Sequence, residues 1–227
     1  MALTDGLVAY YKFDGDATDS VGSNNGTVYG ATVTTSGKIN QAYSFDGIND
    51  YIGLPGTLIN NDSYGTISMW IKLNVSANQA FFSKQANNVD SMLIFQTDSS
   101  SKLQFKSDNG SGTTNGTTVL TTGVWYNVIA VRNNTIQKIY VNGVEDGSIS
   151  ADTSIRNNTS TIAIGAWIGD GNNYASIIID EIGIWNRALT ASEVSELYNN
   201  GNGKSYPFTT PSGSNNNFFV LSLGAEF

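Results

Sequence analysis

The stretch Thr66–Leu73, with the sequence TISMWIKL, alternates between two sets of side chains along its whole length. Successive side chains of a β-strand point to opposite faces of a sheet, so this period of two predicts a strand with one face against a core. The predicted core face carries Ile67, Met69, Ile71 and Leu73, and the other face carries Ser68, Trp70 and Lys72. The pattern predicts a β-sheet domain around this segment.

Further short apolar runs lie on both sides of this strand. Asn142-Gly143 is the strongest two-residue turn signal, and it predicts a hairpin that folds Lys138–Val141 onto Val144–Ser148. Trp125–Arg132 is predicted to pair with the first arm of that hairpin. The remaining strand candidates are Leu7–Phe13, Thr27–Ala31, Ala42–Phe45, Asp50–Ile52, Ala80–Lys84, Ser91–Gln96, Lys102–Lys106, Thr161–Ile164 and Ile177–Trp185.

One helix is predicted near the end of the sequence. Thr190 and Glu193 have the spacing of a capping box, in which each side chain accepts a hydrogen bond from a backbone N–H of the first turn. Val194 and Leu197 give this helix an apolar side, and Asn200-Gly201 is the predicted stop. Many short strands, one short terminal helix and no strand–helix alternation predict an all-β protein, a two-sheet antiparallel jelly-roll sandwich.

The composition agrees with this fold class and narrows the function. Charged residues make up 13% of the 227 residues, and the formal net charge is −8, so the basic surface that binds nucleic acid is absent. Because there is no histidine and no cysteine, His-based catalytic triads, Cys nucleophiles, thiolate zinc sites and disulfides are excluded. No run approaches the about 18 apolar residues of a membrane span. The first residues do not have the pattern of a signal peptide.

The last residues differ in composition from the rest of the chain. Residues 1–207 are predicted to form one jelly-roll domain, and residues 208–227 a polar linker followed by an apolar tail. Two interpretations of the tail Phe218–Phe227 remain open. It docks on a partner, for example by adding a strand to a sheet edge, or it is the last strand of its own domain.

Several segments in a fixed order carry a family likeness. They are Val8–Gly15 (VAYYKFDG), Thr18–Thr27 (TDSVGSNNGT), Tyr43–Ile52 (YSFDGINDYI), Ile67–Ile71 (ISMWI), Trp125–Val128 (WYNV), Tyr140–Gly143 (YVNG) and Ile179–Thr190 (IDEIGIWNRALT). With these segments, over Leu7–Gly201, the chain resembles the laminin-G-like jelly-roll family of the concanavalin A-like lectin/glucanase superfamily. The resemblance implies two curved antiparallel sheets that face each other.

The same resemblance implies a calcium ion, commonly structural, near the edge of the sandwich. The family's acidic positions correspond to Asp14 and Asp19 in the first loop and Asp180 on the last strand, with Asp46 as a weaker candidate. Independently, Asp14, Asp16 and Asp19 crowd three carboxylates into one short loop, where repulsion favours a screening cation or water. The alternative is that these aspartates only cap turns in a glycine-rich loop.

Glycosidases of the superfamily make catalysis an alternative to be tested. Glycoside hydrolysis needs two carboxylates that face each other across a cleft. Asp180 and Glu181 are adjacent in the sequence, so they are expected to point to opposite faces of their strand. No single strand carries acids with the required alternation. The prediction is a non-catalytic chain, with glycoside hydrolysis as the least favoured interpretation.

One loop near the end of the predicted sandwich has the composition of a sugar-binding site. Sugars bind through aromatic faces, with polar groups at the edges of the ring. The predicted ligand-binding residues are Trp167, Asp170, Asn172, Asn173 and Tyr174, and Asn87, Asn88 and Asp90 are placed on a neighbouring loop. The alternative for the tryptophan is a packing role, which is the more common one for this residue type in strands.

Together these features favour a module for binding and display. The resemblance and the bare N-terminus point to a bacteriophage virion surface protein, a capsid decoration or fibre, that is made in the host cytoplasm and attaches to cell-surface glycans. Its expected partners are other virion or surface proteins, reached through the tail, and further copies of the chain in a homo-oligomer. The alternative is a secreted or cell-surface lectin domain that binds carbohydrate in a calcium-dependent way.

Overall fold

A computed structural model gives the fold and describes residues 1–59, 64–85, 92–107, 112–150, 159–168 and 173–208. The strands are β1 (Leu7–Tyr11), β2 (Thr27–Tyr29), β3 (Thr32–Thr34), β4 (Ala42–Asp46), β5 (Tyr51–Leu54), β6 (Tyr64–Leu73), β7 (Ala80–Gln85), β8 (Met92–Thr97), β9 (Lys102–Ser107), β10 (Gly112–Val119), β11 (Trp125–Asn133), β12 (Ile136–Val141), β13 (Val144–Ser150), β14 (Ile162–Ile164), β15 (Ala166–Trp167), β16 (Asn173–Tyr174) and β17 (Ser176–Trp185). The helix α1 (Ala191–Tyr198) follows, and short 3-10 turns span Gly56–Leu58 and Asn199–Gly201.

Most strands belong to two antiparallel sheets. The eight-stranded sheet has the order β13-β12-β11-β6-β17-β4-β3, and β1 also pairs with β17. The seven-stranded sheet has the order β10-β9-β8-β7-β14-β5-β2, and β15 and β16 form a small separate hairpin. The predicted two-sheet antiparallel sandwich is therefore confirmed. The TISMWIKL segment lies in β6, between β11 and β17 of the larger sheet.

The core lies between the two sheets. The face of β6 that was predicted to be buried does contact this core, through Ile67, Met69, Ile71 and Leu73. From the opposite sheet, the ring of Phe95 meets the rings of Phe81 and Phe105 edge to face, with centroid distances of 4.9 and 5.6 Å. Full burial of such a side chain contributes about 1.5–3 kcal/mol, so packing between the sheets makes a large contribution to the stability of the sandwich.

An outer layer covers the eight-stranded sheet on the side away from the core. It consists of α1 and the C-terminal strap, which is the segment Asn202–Phe208. Trp70 of β6 stacks on Tyr198 of α1, with ring centroids 6.0 Å apart. A Cβ atom on Gly203 of the strap would lie 3.1 Å from Nε1 of the same tryptophan, so the strap can pass over it only without a side chain there. The second face of β6 is thus buried as well at Ser68 and Trp70.

The two ends of the described chain meet at Trp185, on the outer face of the eight-stranded sheet. The indole Nε1 of Trp185 donates a hydrogen bond of 2.7 Å to the carbonyl oxygen of Leu3. The ring of Phe208 stacks on the same tryptophan, with centroids 6.3 Å apart, and meets Tyr10 edge to face at 5.4 Å. Phe208, which the composition assigned to the linker, therefore packs against the domain.

The helix α1 begins as the sequence predicted. The hydroxyl of Thr190 accepts the N–H of Glu193 at 3.3 Å, and the Glu193 carboxylate accepts the N–H of Thr190 at 2.8 Å, which completes the capping box. Arg187 forms a bidentate ion pair with the Glu193 carboxylate, in which its two terminal nitrogens lie 2.9 and 2.7 Å from the carboxylate oxygens. The helix ends at Asn199, whose left-handed backbone (φ 49°) starts the turn one residue before the predicted stop.

The strands β3, β10, β15 and β16 were not predicted. The sequence of β10, GTTNGTTV, has no apolar alternation, and this strand is fixed instead by pairing with β9 and by contacts with β13. There the Asp146 carboxylate accepts the N–H of Thr117 at 3.1 Å and the N–H of Thr118 at 3.0 Å. The part of the chain described by the structure contains no helix with the length and hydrophobicity of a membrane span.

Candidate functional site

An open cleft of about 510 Å³ lies on the outer face of the seven-stranded sheet, where the edge strand β2 meets β5. Ile52 and Leu54 of β5 point into the core, so the alternating residues Tyr51 and Gly53 point outward, towards this cleft. The residues that line it are Asn25, Thr27, Tyr29, Tyr51, Gly53, Leu54, Pro55, Ser160, Thr161 and Ile168.

Two tyrosines form the aromatic wall of the cleft. Tyr29 of β2 and Tyr51 of β5 are direct partners in the strand pairing, so their side chains rise from the same face of the sheet. Their rings stack with centroids 4.4 Å apart and planes 12° from parallel. Tyr29 remains 47% exposed. A large, half-exposed aromatic surface at an open cleft is therefore available to a ligand.

Gly53 forms the floor of the cleft beneath the two rings. A Cβ atom at this position would lie 3.5 Å from Cε2 of Tyr29, 3.8 Å from Cε2 of Tyr51 and 3.3 Å from Cγ2 of Thr161. These are contact distances, so any side chain longer than a methyl group would push into the rings or fill the cleft. The absence of a side chain at Gly53 lets the rings lie over the sheet and leaves room for a ligand.

Uncharged polar groups lie around the aromatic wall. The cleft is lined by the amide of Asn25 and the hydroxyl-bearing residues Thr27, Ser160 and Thr161. The side-chain oxygen of Asn25 accepts the N–H of Asp19 at 3.0 Å, which holds this amide at the edge of the cleft. The arrangement combines an apolar ring surface with hydrogen-bonding groups at its edges, as small-molecule sites typically do.

The phenol of Tyr51 stays protonated at neutral pH. Burial raises the pKa of Tyr51 above its usual value, and the neighbouring phenols of Tyr29 and Tyr174 raise it further. A protonated phenol both donates and accepts hydrogen bonds. The wall of the cleft therefore presents neutral groups that can pair with hydroxyls.

The predicted ligand-binding loop reaches this cleft only in part. Tyr174 interacts with Tyr51, and Ile168, one residue beyond Trp167, lines the cleft. The amide of Asn173 is already engaged, because its oxygen accepts the N–H of Ala80 at 3.3 Å and its nitrogen donates to a carbonyl of the β6–β7 connection at 3.2 Å. Trp167 is half-buried in the β15–β16 hairpin. Asp170, Asn172, Asn87, Asn88 and Asp90 lie outside the described residues.

The sequence interpretation missed the residues that build the cleft. Tyr29 and Tyr51 were seen as parts of short strands, but their stacking depends on the register of β2 against β5. Pairing between distant segments leaves no local pattern in a sequence. A usable signal was the presence of one tyrosine in each of two short strand candidates.

Of the four aspartates predicted to bind calcium, Asp14 and Asp19 accept hydrogen bonds in the first loop. Asp19 is buried and accepts the N–H groups of Tyr10 at 3.1 Å and Val21 at 3.0 Å, together with the side-chain nitrogen of Asn24 at 3.0 Å. These bonds lower the pKa of Asp19 and outweigh the raising effect of burial. Asp14 is exposed and accepts backbone and side-chain N–H groups of the segment 40–41.

The other two predicted calcium ligands lie elsewhere. Asp46 is exposed at the end of β4 and accepts the N–H of Ile48 at 2.7 Å, and Asp180 is fully buried under the loop that contains Lys38. The described part of the chain contains no group of three or more acidic side chains placed to hold a metal ion. Calcium binding stays a prediction, for which a melting temperature unchanged between calcium and EDTA would be the contrary result.

The expectation that Asp180 and Glu181 point to opposite faces is wrong. A bulge interrupts the pairing of β17 with β6, since Asp180 lies opposite Trp70 but Gly183 lies opposite Ser68. Glu181 adopts a left-handed backbone (φ 51°), and the residues on either side of the pair, Ile179 and Ile182, both point into the core. The bulge therefore places both acids on the outer side of the sheet.

Both carboxylates are buried on the outer side of the eight-stranded sheet. Asp180 accepts the N–H groups of Lys38 at 2.8 Å and Ile39 at 2.9 Å, and Glu181 accepts the hydroxyl of Tyr10 in a short hydrogen bond. Asp180 is 0% and Glu181 3% exposed. One oxygen of each, Oδ1 and Oε1, has no hydrogen-bond partner among the described residues. Asp180 thus binds the loop at Lys38, Glu181 binds Tyr10 of β1, and the buried pair is closed to a substrate.

Burial dominates the electrostatics of this acidic pair. Burial, together with the nearby Glu181 carboxylate, raises the pKa of Asp180 to about 8, although the hydrogen bonds from the loop at Lys38 oppose the change. Burial also raises the pKa of Glu181 to about 7, although hydrogen bonds from Tyr10 and Ser205 oppose the change. The pair therefore holds protons at pH values where exposed carboxylates are ionised.

Two antiparallel sheets packed face to face, with one short helix, define the class of jelly-roll β-sandwiches. A laminin-G family model, described as concanavalin A-like lectin/glucanases superfamily, matches residues 46–195, which is more than half of the chain. The chain belongs to this family, as the sequence segments indicated. No curated protein matches the chain.

Solved structures share this fold at low sequence identity. Domain 4 of an extracellular arabinanase from Geobacillus stearothermophilus, in complex with arabinotriose, has 24% identity and a TM-score of 0.67, over 84% of this chain and 97% of that one. The binding domain of Paraclostridial mosquitocidal protein 1 has 20% identity and a TM-score of 0.71, over 87% and 53%. Trypanosoma rangeli sialidase in complex with 2,3-difluorosialic acid has 15% identity and a TM-score of 0.68, over 86% and 33%. The chain thus spans about half of the toxin domain and about a third of the sialidase.

Proposed function

We propose that this chain is a non-catalytic carbohydrate-binding module and that its ligand lies in the cleft at Tyr29 and Tyr51. The observation that carries the proposal is the stacked tyrosine pair over Gly53, with one ring half exposed. Sugars present C–H faces that pack on aromatic rings and hydroxyls that bond to polar groups at the ring edge. The cleft offers both kinds of surface within one open volume.

The comparisons support this class of ligand. The arabinanase domain, whose structure contains arabinotriose, corresponds to this chain over almost its whole length. Domains of this fold also occur as parts of larger proteins, among them a sialidase and a toxin binding domain. At these identities the likeness establishes the fold alone, so the ligand of this chain rests on its own cleft.

The cleft has the groups for binding but lacks those for hydrolysis. Glycoside hydrolysis requires an acid and a second carboxylate on either side of the scissile bond. None of the described residues that line the cleft is an aspartate or a glutamate. The buried pair Asp180 and Glu181 lies on the outer side of the other sheet. The chain is therefore proposed to bind sugar without cleaving it.

The test is the substitution Tyr29→Ala, with Tyr64→Ala as its matched control. Tyr64 is also a strand tyrosine and is also 47% exposed, but it lies on β6 of the other sheet. Aromatic anchors carry a large share of binding energy, so we expect Tyr29→Ala to weaken glycan binding at least about tenfold, or about 1.4 kcal/mol. Binding is found on a glycan array and measured by titration calorimetry.

A second variant, Gly53→Val, fills the floor of the cleft and should also remove binding. Both cleft variants must keep the melting temperature of the wild type to within a few degrees, so that loss of fold is excluded. Equal affinities for wild type, Tyr29→Ala and Gly53→Val would show that the cleft is not the binding site. The absence of any glycan ligand would contradict the proposed function.

The setting in which the module acts stays a prediction. Display on a virion surface, with glycan attachment, is compatible with a cleft that opens away from the outer layer, and a secreted or cell-surface lectin is equally compatible with it. Mass spectrometry of purified virions and of host fractions distinguishes them. Detection only in host fractions would contradict the virion assignment.

A further inference from the structure

We propose that the cleft at Tyr29 and Tyr51 selects uncharged saccharides and rejects those that carry a carboxylate, such as uronic and sialic acids. This inference rests on the proposed function and specifies the class of its ligand. The inference follows from the charges around the cleft. The sequence alone does not show which charged residues lie near it.

The described lining of the cleft carries no ionised side chain. Its hydrogen-bonding groups are the amide of Asn25, hydroxyls of Thr27, Ser160 and Thr161, and phenols, together with backbone. Neutral groups of this kind match the hydroxyls and ring oxygens of a neutral sugar. A carboxylate placed in the cleft would lose water without gaining a cationic partner, which is strongly unfavourable.

The basic residue Lys84, which contacts the Gly56–Leu58 turn, is buried. It is 1% exposed, and its ammonium group donates to the carbonyl oxygen of Gly56 at 2.7 Å and to the carbonyl oxygen of Ile59 at a shorter distance. Burial lowers the pKa of Lys84 to about 8. Because Lys84 is buried and its ammonium group donates to the carbonyl oxygens of Gly56 and Ile59, this lysine cannot pair with a ligand in the cleft.

Two acidic residues lie next to residues that line the cleft. Asp19 donates its N–H to Asn25, a lining residue, and Asp50 precedes Tyr51 and touches the turn at Gly30 that follows Tyr29. Asp50 is buried, with its carboxylate accepting the N–H of Asp46 at 3.0 Å. The chain as a whole carries a net charge of −8. An anionic sugar would therefore approach a surface of the same sign.

The experiment compares neutral oligosaccharides with acidic counterparts. α-1,4-Linked galactotriose and trigalacturonic acid form the matched pair, because they differ only in the carboxylate that replaces the CH₂OH group of each sugar. Lactose and 3′-sialyllactose, which differ by one whole sialic acid residue, form a second pair, with arabinotriose as a further neutral probe. We expect the neutral probes to bind at least tenfold more tightly than their acidic counterparts by titration calorimetry. Because repulsion between charges is screened by salt, we expect this ratio to shrink between low and high ionic strength.

A variant that adds a cation tests whether the lack of a cationic partner causes the rejection of carboxylates. Thr27→Lys places an ammonium group on the edge strand β2, where lysine is well tolerated. We expect it to bring the affinity for the acidic probe to that of the neutral one or above it. The matched control is Thr32→Lys, an exposed threonine on the edge strand β3 of the other sheet, which should leave both affinities unchanged.

The outcomes separate the inference from the proposed function. Acidic probes that bind as tightly as neutral ones, and lose binding in Tyr29→Ala, would overturn the inference and leave the function standing. Failure of every probe and of the glycan array to bind would overturn both.

Discussion

At the scale of single residues, Asp180 shows what the sequence could and could not predict. Its neighbours Ile178, Ile179 and Ile182 are apolar, and the side chain is buried. The same sequence wrongly placed Glu181 on the opposite face, because the bulge in β17 arises from the pairing with β6 and from a left-handed backbone at Glu181. Strand alternation holds only where the register is regular.

The first prediction concerns the pH dependence set by this pair. The raised pKa values, about 8 for Asp180 and about 7 for Glu181, mean that the folded protein holds these protons to higher pH than the unfolded chain. The resulting stability is fully present below the ordinary carboxyl pKa near 4 and is lost as pH rises through 7 and 8. A tenfold change in proton affinity corresponds to about 1.4 kcal/mol.

We therefore expect Asp180→Asn to flatten the dependence of unfolding free energy on pH between 5 and 8 and to exceed wild-type stability at pH 8 by at least about 2 kcal/mol. The measurement is urea denaturation at a series of pH values. The control is Asp46→Asn, which changes an exposed carboxylate at the end of β4. Parallel curves for wild type and Asp180→Asn would contradict the prediction.

At the scale of elements, the helix α1 was predictable and the edge strands were not. Its capping box uses residues three apart, so the sequence contains the whole signal. The partner Arg187 was missed, because the loop before the helix brings it back to Glu193. The strand β10 has a polar sequence and depends on contacts with β9 and β13, which only the assembled sandwich provides.

The second prediction concerns the cap of α1. The hydrogen bonds from Arg187 and Thr190 outweigh burial and hold the pKa of Glu193 at about 2. This carboxylate contributes stability above the ordinary carboxyl pKa near 4, and the contribution is lost as pH falls towards 2. Glu193→Gln should therefore cost about 1–3 kcal/mol at pH 7 and almost nothing at pH 2.

Chemical denaturation at the two pH values measures this cost, and the exposed Ser192→Ala in the same turn is the control. A cost that is equal at pH 7 and pH 2 would show that the charge of Glu193 does not matter. A cost below about 0.5 kcal/mol at pH 7 would show that the ion pair is no stronger than an ordinary surface pair.

At the scale of the whole molecule, the class of fold followed from strand alternation, turn residues and the family segments. The cleft did not, because it is formed by β2, β5 and the chain around Ser160, which are far apart in the sequence. The outer layer was also unexpected. The polar composition after Pro207 suggested that the domain had ended, whereas Phe208 packs on Trp185 and Tyr10.

The third prediction concerns this outer layer. Phe208 is half-buried and its ring contacts three aromatic neighbours, so Phe208→Ala should lower the free energy of unfolding by about 1–3 kcal/mol. The control is Ile48→Ala, which removes a side chain that is 73% exposed and should change stability by less than about 0.5 kcal/mol. Equal denaturation midpoints for Phe208→Ala and wild type would show that the strap contributes nothing.

The meeting of Leu3 and Phe208 at Trp185 has a consequence for how the domain can be carried by other proteins. A domain can be inserted into a loop of another protein when the two positions at which the chains are connected lie close together on its surface. Trp185 lies on the outer face of the eight-stranded sheet, whereas the tyrosine cleft opens on the outer face of the seven-stranded sheet. A protein connected near Leu3 and Phe208 would therefore lie on the side of the eight-stranded sheet, and the cleft on the opposite side of the sandwich would stay accessible.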